Sequence, residues 1–308
     1  MNFTGAHILT VSQFQREDVD RVFSTADSME PYALRKRVTR VLEGAILGNM
    51  FFEASTRTRV SFGSAFNLLG GEVRETAGFE SSALVKGESL QDTARVLSGF
   101  SDVICMRHPE DGSVADFAEA SRVPVINGGD GSNEHPTQAL LDLYTIRREL
   151  LDKGKNINGL SIAMIGDLRH GRTVHSLTKL LSLYDGVRVT LVSPRELSLP
   201  DGIVESMRNA GVDVRIRHEL AKSIVDVDIV YSTRIQEERF SNKQEADLYR
   251  GKFRLNQAIY TQYCQPNTVI MHPLPRDSRS KPHFKICALL HALMDLPGCA
   301  IALLARRQ

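Results

Sequence analysis

The densest chemistry in this chain lies in Phe51-Phe52-Glu53-Ala54-Ser55-Thr56-Arg57-Thr58-Arg59. Three hydroxyls and two guanidinium groups fall in consecutive positions, a set that can hold an anion through charge-assisted hydrogen bonds. The apolar run from Ile46 to Phe52 reads as a buried strand, and Val60, Phe62, Ala65, Phe66 and Leu69 then recur at helical spacing until Gly70-Gly71. Ser55 to Thr58 are therefore expected at a strand-to-helix turn, where free backbone N–H groups and the positive end of the helix dipole attract a phosphate-like group. An ordinary N-cap needs a single hydroxyl; this stretch carries more than that role requires.

Other polar knots fall in the same kind of place. Arg107 follows the run 102–106, His135 and Gln138 follow 123–127 through a glycine-rich turn, and Arg172 follows 160–165 through Gly166-Asp167-Leu168-Arg169-His170-Gly171. Arg234 and Gln236 follow 228–232, and His272-Pro273-Leu274-Pro275 follows 268–271. Taken singly each has a plain reading. A lone arginine is usually a surface residue, His135 is an N-cap or packed histidine, and Ser82 and Lys86 sit in an unremarkable polar loop. The proline run is a place for a cis peptide bond and for backbone carbonyls aimed at a ligand amine. Together the knots occupy the carboxyl ends of apolar strands, where open α/β sheets bind ligands.

The elements that would position them alternate. Strands are expected over 46–52, 72–76, 102–106, 123–127, 160–165, 188–192, 213–217, 228–232 and 268–271. Helices are expected over 14–30, 32–43, 89–100, 113–121, 136–151, from 172 to about 184, 201–210 and 219–225. Pro136 suits the first helical turn. The alternation predicts an α/β fold of two doubly wound parallel-sheet domains of similar size, with the active site in the cleft between them. The polar stretch 153–159 breaks the pattern, which places the domains at 1–150 and 151–284, with 285–308 the candidate to pack back on the first.

Composition narrows the functional classes. The 308 residues suit two ordinary domains. Thirty-eight basic residues stand against 37 acidic ones, so no global field marks a nucleic-acid or membrane binder, and any anion site must be local. No apolar run reaches the ~18 residues of a membrane span. The N-terminus lacks signal-peptide regions, and the four cysteines, Cys105, Cys264, Cys287 and Cys299, show no CxxC spacing. A cytoplasmic protein with no metal is expected. The Gly166–Gly171 turn raises a dinucleotide site, but it lacks the second glycine of GxGxxG, and no GxxxxGK[ST] occurs in the chain.

These motifs, in this order, resemble the aspartate carbamoyltransferase catalytic-chain family. The resemblance rests on FFEASTRTR (51–59), Lys86-Gly87-Glu88, Met106-Arg107-His108-Pro109, GSNEHPTQ (131–138), GDLRHGRTVHS (166–176), TRIQEER (233–239) and HPLPR (272–276). Ornithine carbamoyltransferases share STRTR and HPTQ, but typically carry HCLP and an SMG loop where this chain has 272–275 and 233–236. The resemblance implies carbamoyl transfer from carbamoyl phosphate to L-aspartate in pyrimidine biosynthesis, with no cofactor. The alternatives are an ornithine-type or other carbamoyltransferase, or a non-catalytic paralogue.

It also implies roles. Ser55, Thr56, Arg57, Thr58 and Arg107 would cradle the phosphate; Thr58, Arg107 and His135 would polarise the carbamoyl oxygen. Gln138 and the Pro273-Leu274 backbone would hold the carbamoyl nitrogen, and Arg172, Arg234 and Gln236 would grip the aspartate carboxylates. Ser82 and Lys86 would come from an adjacent subunit, implying a homotrimer with shared sites, which in the family can join regulatory chains in a larger assembly. Residues 277–308 depart from the family pattern, as a diverged or frame-altered terminus would.

Overall fold

A computed structural model describes residues 1–77, 87–236, 240, 244, 247–249, 253 and 255–275. The chain divides into two compact units, the first built on Met1–Tyr144 and the second beginning at Thr145.

The first unit holds a four-stranded, wholly parallel sheet in the order β2-β1-β3-β4. Its strands are β1 (Ile46–Phe51), β2 (Glu72–Ala77), β3 (Val103–His108) and β4 (Val125–Asp130). β3 and β4 are buried at every position, as expected of parallel strands covered on both faces. Edge strand β2 carries Glu72, Arg74 and Glu75, charges that discourage further strand pairing. The helices are α1 (Arg16–Ala33), α2 (Thr56–Leu68), α3 (Leu90–Leu97), α4 (Ser113–Ala120) and α5 (Pro136–Leu151). Phe62, Ala65, Phe66 and Leu69 are buried along α2, but Val60 is half exposed. One cluster packs Met50, Ile104 and Met106 of the sheet against Ala94 and Phe117 of the helices.

The second unit repeats the plan with β7-β6-β5-β8-β9, again all parallel. Its strands are β5 (Ser161–Ile165), β6 (Arg188–Val192), β7 (Asp213–Arg217), β8 (Ile229–Ser232) and β9 (Val269–Met271). The helices described are α6 (Arg172–Leu181), α7 (Asp201–Asn209) and α8 (Gln257–Tyr263). Ala163, Ile165, Val192, Val230 and Ile270 share a core with Ile224 and Leu255. The division between units falls inside α5, ahead of the polar stretch at 153–159.

Two expected helices did not form. Residues 34–45 contain turns and no helix. α1 continues through Pro31, and then Lys36 N and Arg37 N both donate to the Pro31 carbonyl while Arg35 takes a positive φ of 55°. Left-handed Arg35 ends the helical path, and Val38 is left 89% exposed instead of packing. Residues 219–225 hold only the single 3-10 turn Ala221–Ser223.

In both units the strand order reverses beside the first strand. β1 has β2 on one side and β3 on the other; β5 has β6 on one side and β8 on the other. The carboxyl ends of β1 and β3, and of β5 and β8, are therefore the switch points at which such sheets admit ligands.

Gly166, at φ 114°, leaves β5 so close to β8 that an added Cβ would collide with the Thr233 carbonyl oxygen. Gly166→Ala is expected to cost about 2 kcal/mol or more and lower the thermal midpoint. Gly202, in the first turn of α7, faces open space. Gly202→Ala should leave the midpoint unchanged or raise stability by up to about 1 kcal/mol. Thermal melts of both variants check the contrast.

Candidate functional site: two switch points

In the first unit, β1 runs through Phe52, Glu53 and Ala54 into α2. Ser55 occupies the N-cap position of α2 yet makes no side-chain capping bond, and the first turn holds no acidic residue. A helix start without a side-chain cap or a first-turn carboxylate favours an external anion. Arg57 lies exposed in this turn, with Thr56 exposed and Thr58 half-buried. The second arginine of the motif does different work. Arg59 Nη1 pairs with Glu75 Oε2 at 3.0 Å. Asn49 Nδ2 donates both to the Arg59 carbonyl (2.9 Å) and to Glu75 Oε1 (3.0 Å). Arg59 thus ties α2 to the edge of the sheet.

Arg107 sits beside this turn at the end of β3. The β3–β4 register slips between Met106 and His108, pairing Met106 with Asn127 and His108 with Asp130. Gly128 and Gly129 therefore oppose the single residue Arg107, a bulge of the kind that redirects a side chain. Arg107 is buried; its Nη1 donates to the Gly128 carbonyl at 3.3 Å and its Nη2 pairs with Glu53 Oε2 at 2.7 Å. Phe52 N donates to the Arg107 carbonyl at 2.9 Å, lacing the two strand exits together. Glu53 was not foreseen; its only signal is its position, immediately after the last apolar residue of the β1 run.

After β4, His135 stands buried immediately before α5 and Pro136 is the first helical residue. His135 Nδ1 lies 3.4 Å from Thr137 Oγ1. Gln138 Nε2 donates to Asp142 Oδ1 at 3.1 Å, so the Gln138 carbonyl oxygen is the atom left to accept from a ligand N–H. The sheet thus brings the exits carrying Ser55–Thr58, Arg107 and His135–Gln138 onto three neighbouring strands.

The second unit is organised by Asp167, whose carboxylate has no exposed surface. His170 N donates to Oδ1 at 3.0 Å; Gln236 N donates to Oδ2 at 3.2 Å, and His170 Nδ1 lies 3.1 Å from Oδ2. Gln236 Nε2 donates to the His170 carbonyl at 2.8 Å. Thr233 Oγ1 donates to the carbonyls of Ile165 and Asp167. The β5 and β8 exit loops are thereby held together, with Arg172, the first residue of α6, on one and Arg234 on the other. α6, like α2, begins without a side-chain cap. Leu197, in the 3-10 turn Arg195–Leu197 after β6, adds a brace: its carbonyl accepts from both Leu168 N and Arg169 N. Asp167 could be suspected only as the acidic residue of a Gly-Asp turn after a strand.

β9, next to β8, leads into His272 and Pro273. Leu274 N donates to His272 Nδ1 at 2.9 Å, Leu274 has φ 59°, and the Leu274–Pro275 bond is cis. Ser82 and Lys86 lie outside the described residues, as do Arg239, Arg276 and 277–308. Among the described residues no group of three or more His, Cys, Asp or Glu side chains could hold a metal ion, and no helix is long and apolar enough to cross a membrane.

His175 holds the same β5–α6 loop, its Nε2 donating to the Leu168 carbonyl at 2.9 Å. Burial pushes its imidazole below the ordinary histidine range, as it does for His108. A histidine kept neutral in the folded state stabilises the fold above its unfolded pKa, and that contribution is lost as pH falls through the folded value. Thermal midpoints measured between about pH 7 and pH 5 should fall less in His175→Gln than in the parent. A residual slope from His108 is expected in the variant.

Residues 6–148 match the carbamoyl-phosphate binding domain of the aspartate/ornithine carbamoyltransferases, and residues 158–282 match their aspartate/ornithine binding domain. The chain is 76% identical over 281 residues to an aspartate carbamoyltransferase catalytic subunit of Cellvibrio japonicus, covering 91% of this chain and 83% of that one. It is similar to the catalytic subunit of M. jannaschii aspartate transcarbamoylase, with TM-score 0.85, 40% identity and 97% and 96% of the two chains covered. It is also similar to the Trypanosoma cruzi aspartate transcarbamoylase in complex with carbamoyl aspartate and phosphate, with TM-score 0.89, 34% identity and 99% and 97% covered.

Proposed function

The chain belongs to the aspartate/ornithine carbamoyltransferase family, and on that premise we propose that its two switch points hold the two reactants of one transfer. The reaction moves the carbamoyl group of carbamoyl phosphate to the amine of L-aspartate, giving N-carbamoyl-L-aspartate and phosphate for pyrimidine biosynthesis. The observation that carries the assignment of sites is the α2 start without a side-chain cap at Ser55, next to the bulged strand end that presents Arg107.

The first unit, 1–150, takes carbamoyl phosphate. Ser55, Thr56, Arg57 and Thr58 bind the phosphate with the free N–H groups of α2. Arg107 joins them by exchanging Glu53 for the substrate. A buried charge is tolerable only while paired, and Glu53 supplies that pairing. Thr58, Arg107 and His135 donate to the carbamoyl oxygen, and Gln138 Oε1 and the Pro273-Leu274 carbonyls accept from its nitrogen. The second unit, 151–284, takes aspartate through Arg172, Arg234 and Gln236, guanidinium forks being suited to planar carboxylates. Lys86 and Leu274 complete the aspartate contacts, with Ser82 and Lys86 supplied by a neighbouring subunit of a cytoplasmic homotrimer.

The aspartate amine attacks the carbamoyl carbon and the carbonyl electrons move onto oxygen. As that tetrahedral oxyanion collapses, the carbon–oxygen bond to phosphate breaks. The phosphate leaves as an anion and takes the amine proton, so no protein base is required. Juxtaposing the bound reactants contributes roughly 7–11 kcal/mol, and each donor aimed at the oxyanion adds about 2.7–4 kcal/mol.

Colorimetric detection of carbamoyl-aspartate across aspartate concentrations, with ornithine as the control amine, tests the reaction. Product is expected with aspartate alone. Arg57→Ala should reduce kcat at least about 100-fold with an unchanged thermal midpoint; parental turnover would remove Arg57 from the cradle. Inactive Lys86→Ala and Arg57→Ala subunits, mixed into verified hybrid trimers, should regain part of the parental activity. Hybrids as inactive as their parents would overturn the sharing of sites.

A further inference from the structure

Residues 7–13 run along β4 on the side away from β3. Ile8 N donates to the Val125 carbonyl and Asn127 N to the Ile8 carbonyl, each at 2.8 Å, and Ile8 pairs with Ile126 in a parallel bridge. Gln13 folds back on this segment. Its Oε1 accepts from Leu9 N at 2.7 Å and from Thr10 N at 3.0 Å, and its Nε2 donates to the His7 carbonyl at 3.0 Å. Thr10 is thereby fixed against the loop that follows β4. Its Oγ1 donates to Glu134 Oε1 at 3.1 Å, and Val11 N approaches Oε2 at 3.5 Å.

Glu134 is buried, and a carboxylate shielded from water depends on the donors that reach it. It also stands immediately before His135, assigned above as a donor to the carbamoyl oxygen. His135 has little freedom on its other side. Pro136 confines the preceding backbone to the extended region, and the His135 carbonyl accepts from Ala139 N at 3.1 Å as α5 begins. On the loop side, the Glu134 carbonyl accepts from Asp130 N at 3.1 Å. That bond holds one point of the residue. The carboxylate, gripped by residues 124 positions away in sequence, holds a second, and two points set the direction in which the chain enters His135.

We propose that Thr10 and Glu134 are positioning residues for carbamoyl transfer: the Thr10 hydroxyl holds the Glu134 carboxylate, and Glu134 holds the His135 ring in place for the carbamoyl oxygen. The inference rests on the role assigned to His135 and adds residues 7–13 to the elements that build the site.

Thr10→Val removes the hydroxyl at nearly constant volume, whereas Thr10→Ser keeps it. In the full chain, Thr10→Val should lower kcat about five- to tenfold with the KM for aspartate unchanged, and Thr10→Ser should match the parent. Because the effect passes through the ring, adding Thr10→Val to His135→Ala should change kcat by less than about twofold. NMR of the chain carrying 15N-labelled histidine gives a readout independent of turnover. The His135 ring signals, identified by their loss in His135→Ala, should move in Thr10→Val and stay in place in Thr10→Ser. Unmoved ring signals, parental kcat in Thr10→Val, or an undiminished effect of Thr10→Val in the His135→Ala background would each overturn the proposal. Parental kcat in His135→Ala would overturn the role of His135 itself, a failure told apart by ring signals that still move in Thr10→Val.

Discussion

With its helices on a given face, right-handed crossovers allow a parallel sheet to grow in only one direction from a given strand. A chain that returns to its first strand and builds the other way must leave a gap where the two windings part. Both units do this, at β1/β3 and at β5/β8. The gap fixes where helix starts, glycines and cationic side chains can meet a ligand. Nearly every polar feature described above answers to it: the α2 and α6 starts without side-chain caps, the bulge at Arg107, and the loops joined by Asp167.

Charges near these gaps are handled in two ways. Arg107 and Glu53 form a pair of low exposure, whose members must part if a substrate is to take one of them. Asp167 is fixed by backbone and side-chain donors on two loops. A fully buried carboxylate that loses its donors is costly to keep, so the loops bearing Arg172 and Arg234 are held in register by buried hydrogen bonds. The first arrangement pairs two side chains across strand exits; the second ties two loops together.

Much of the fold was legible because parallel strands buried on both faces read as continuous apolar runs. β6 and β7 fell at the expected residues, and β3 and β4 ran slightly past them. The helix expected over 32–43 failed for a local reason: Val38 and Val41 have helical spacing, but left-handed Arg35 takes the chain out of the helix. The STRTR stretch was readable as a strand-to-helix turn from residue types and spacing. Spacing could not separate Arg57, which faces outward, from Arg59, which is engaged by Glu75 across the sheet edge. Nor could it reveal Glu53 or Asp167, whose significance depends on partners 54 and 69 positions away, at Arg107 and Gln236.

The brace formed by the Leu197 carbonyl has a consequence for which changes the chain can absorb. Surface turns between a strand and the following helix usually tolerate gained or lost residues. This one offers a single oxygen to two consecutive amides of the β5–α6 connection. An insertion between Pro194 and Pro200 would displace that oxygen and disturb the approach to Arg172, although no atom of the turn need approach the reacting groups. Variation in its length should therefore be selected against far more strongly than its surface position suggests.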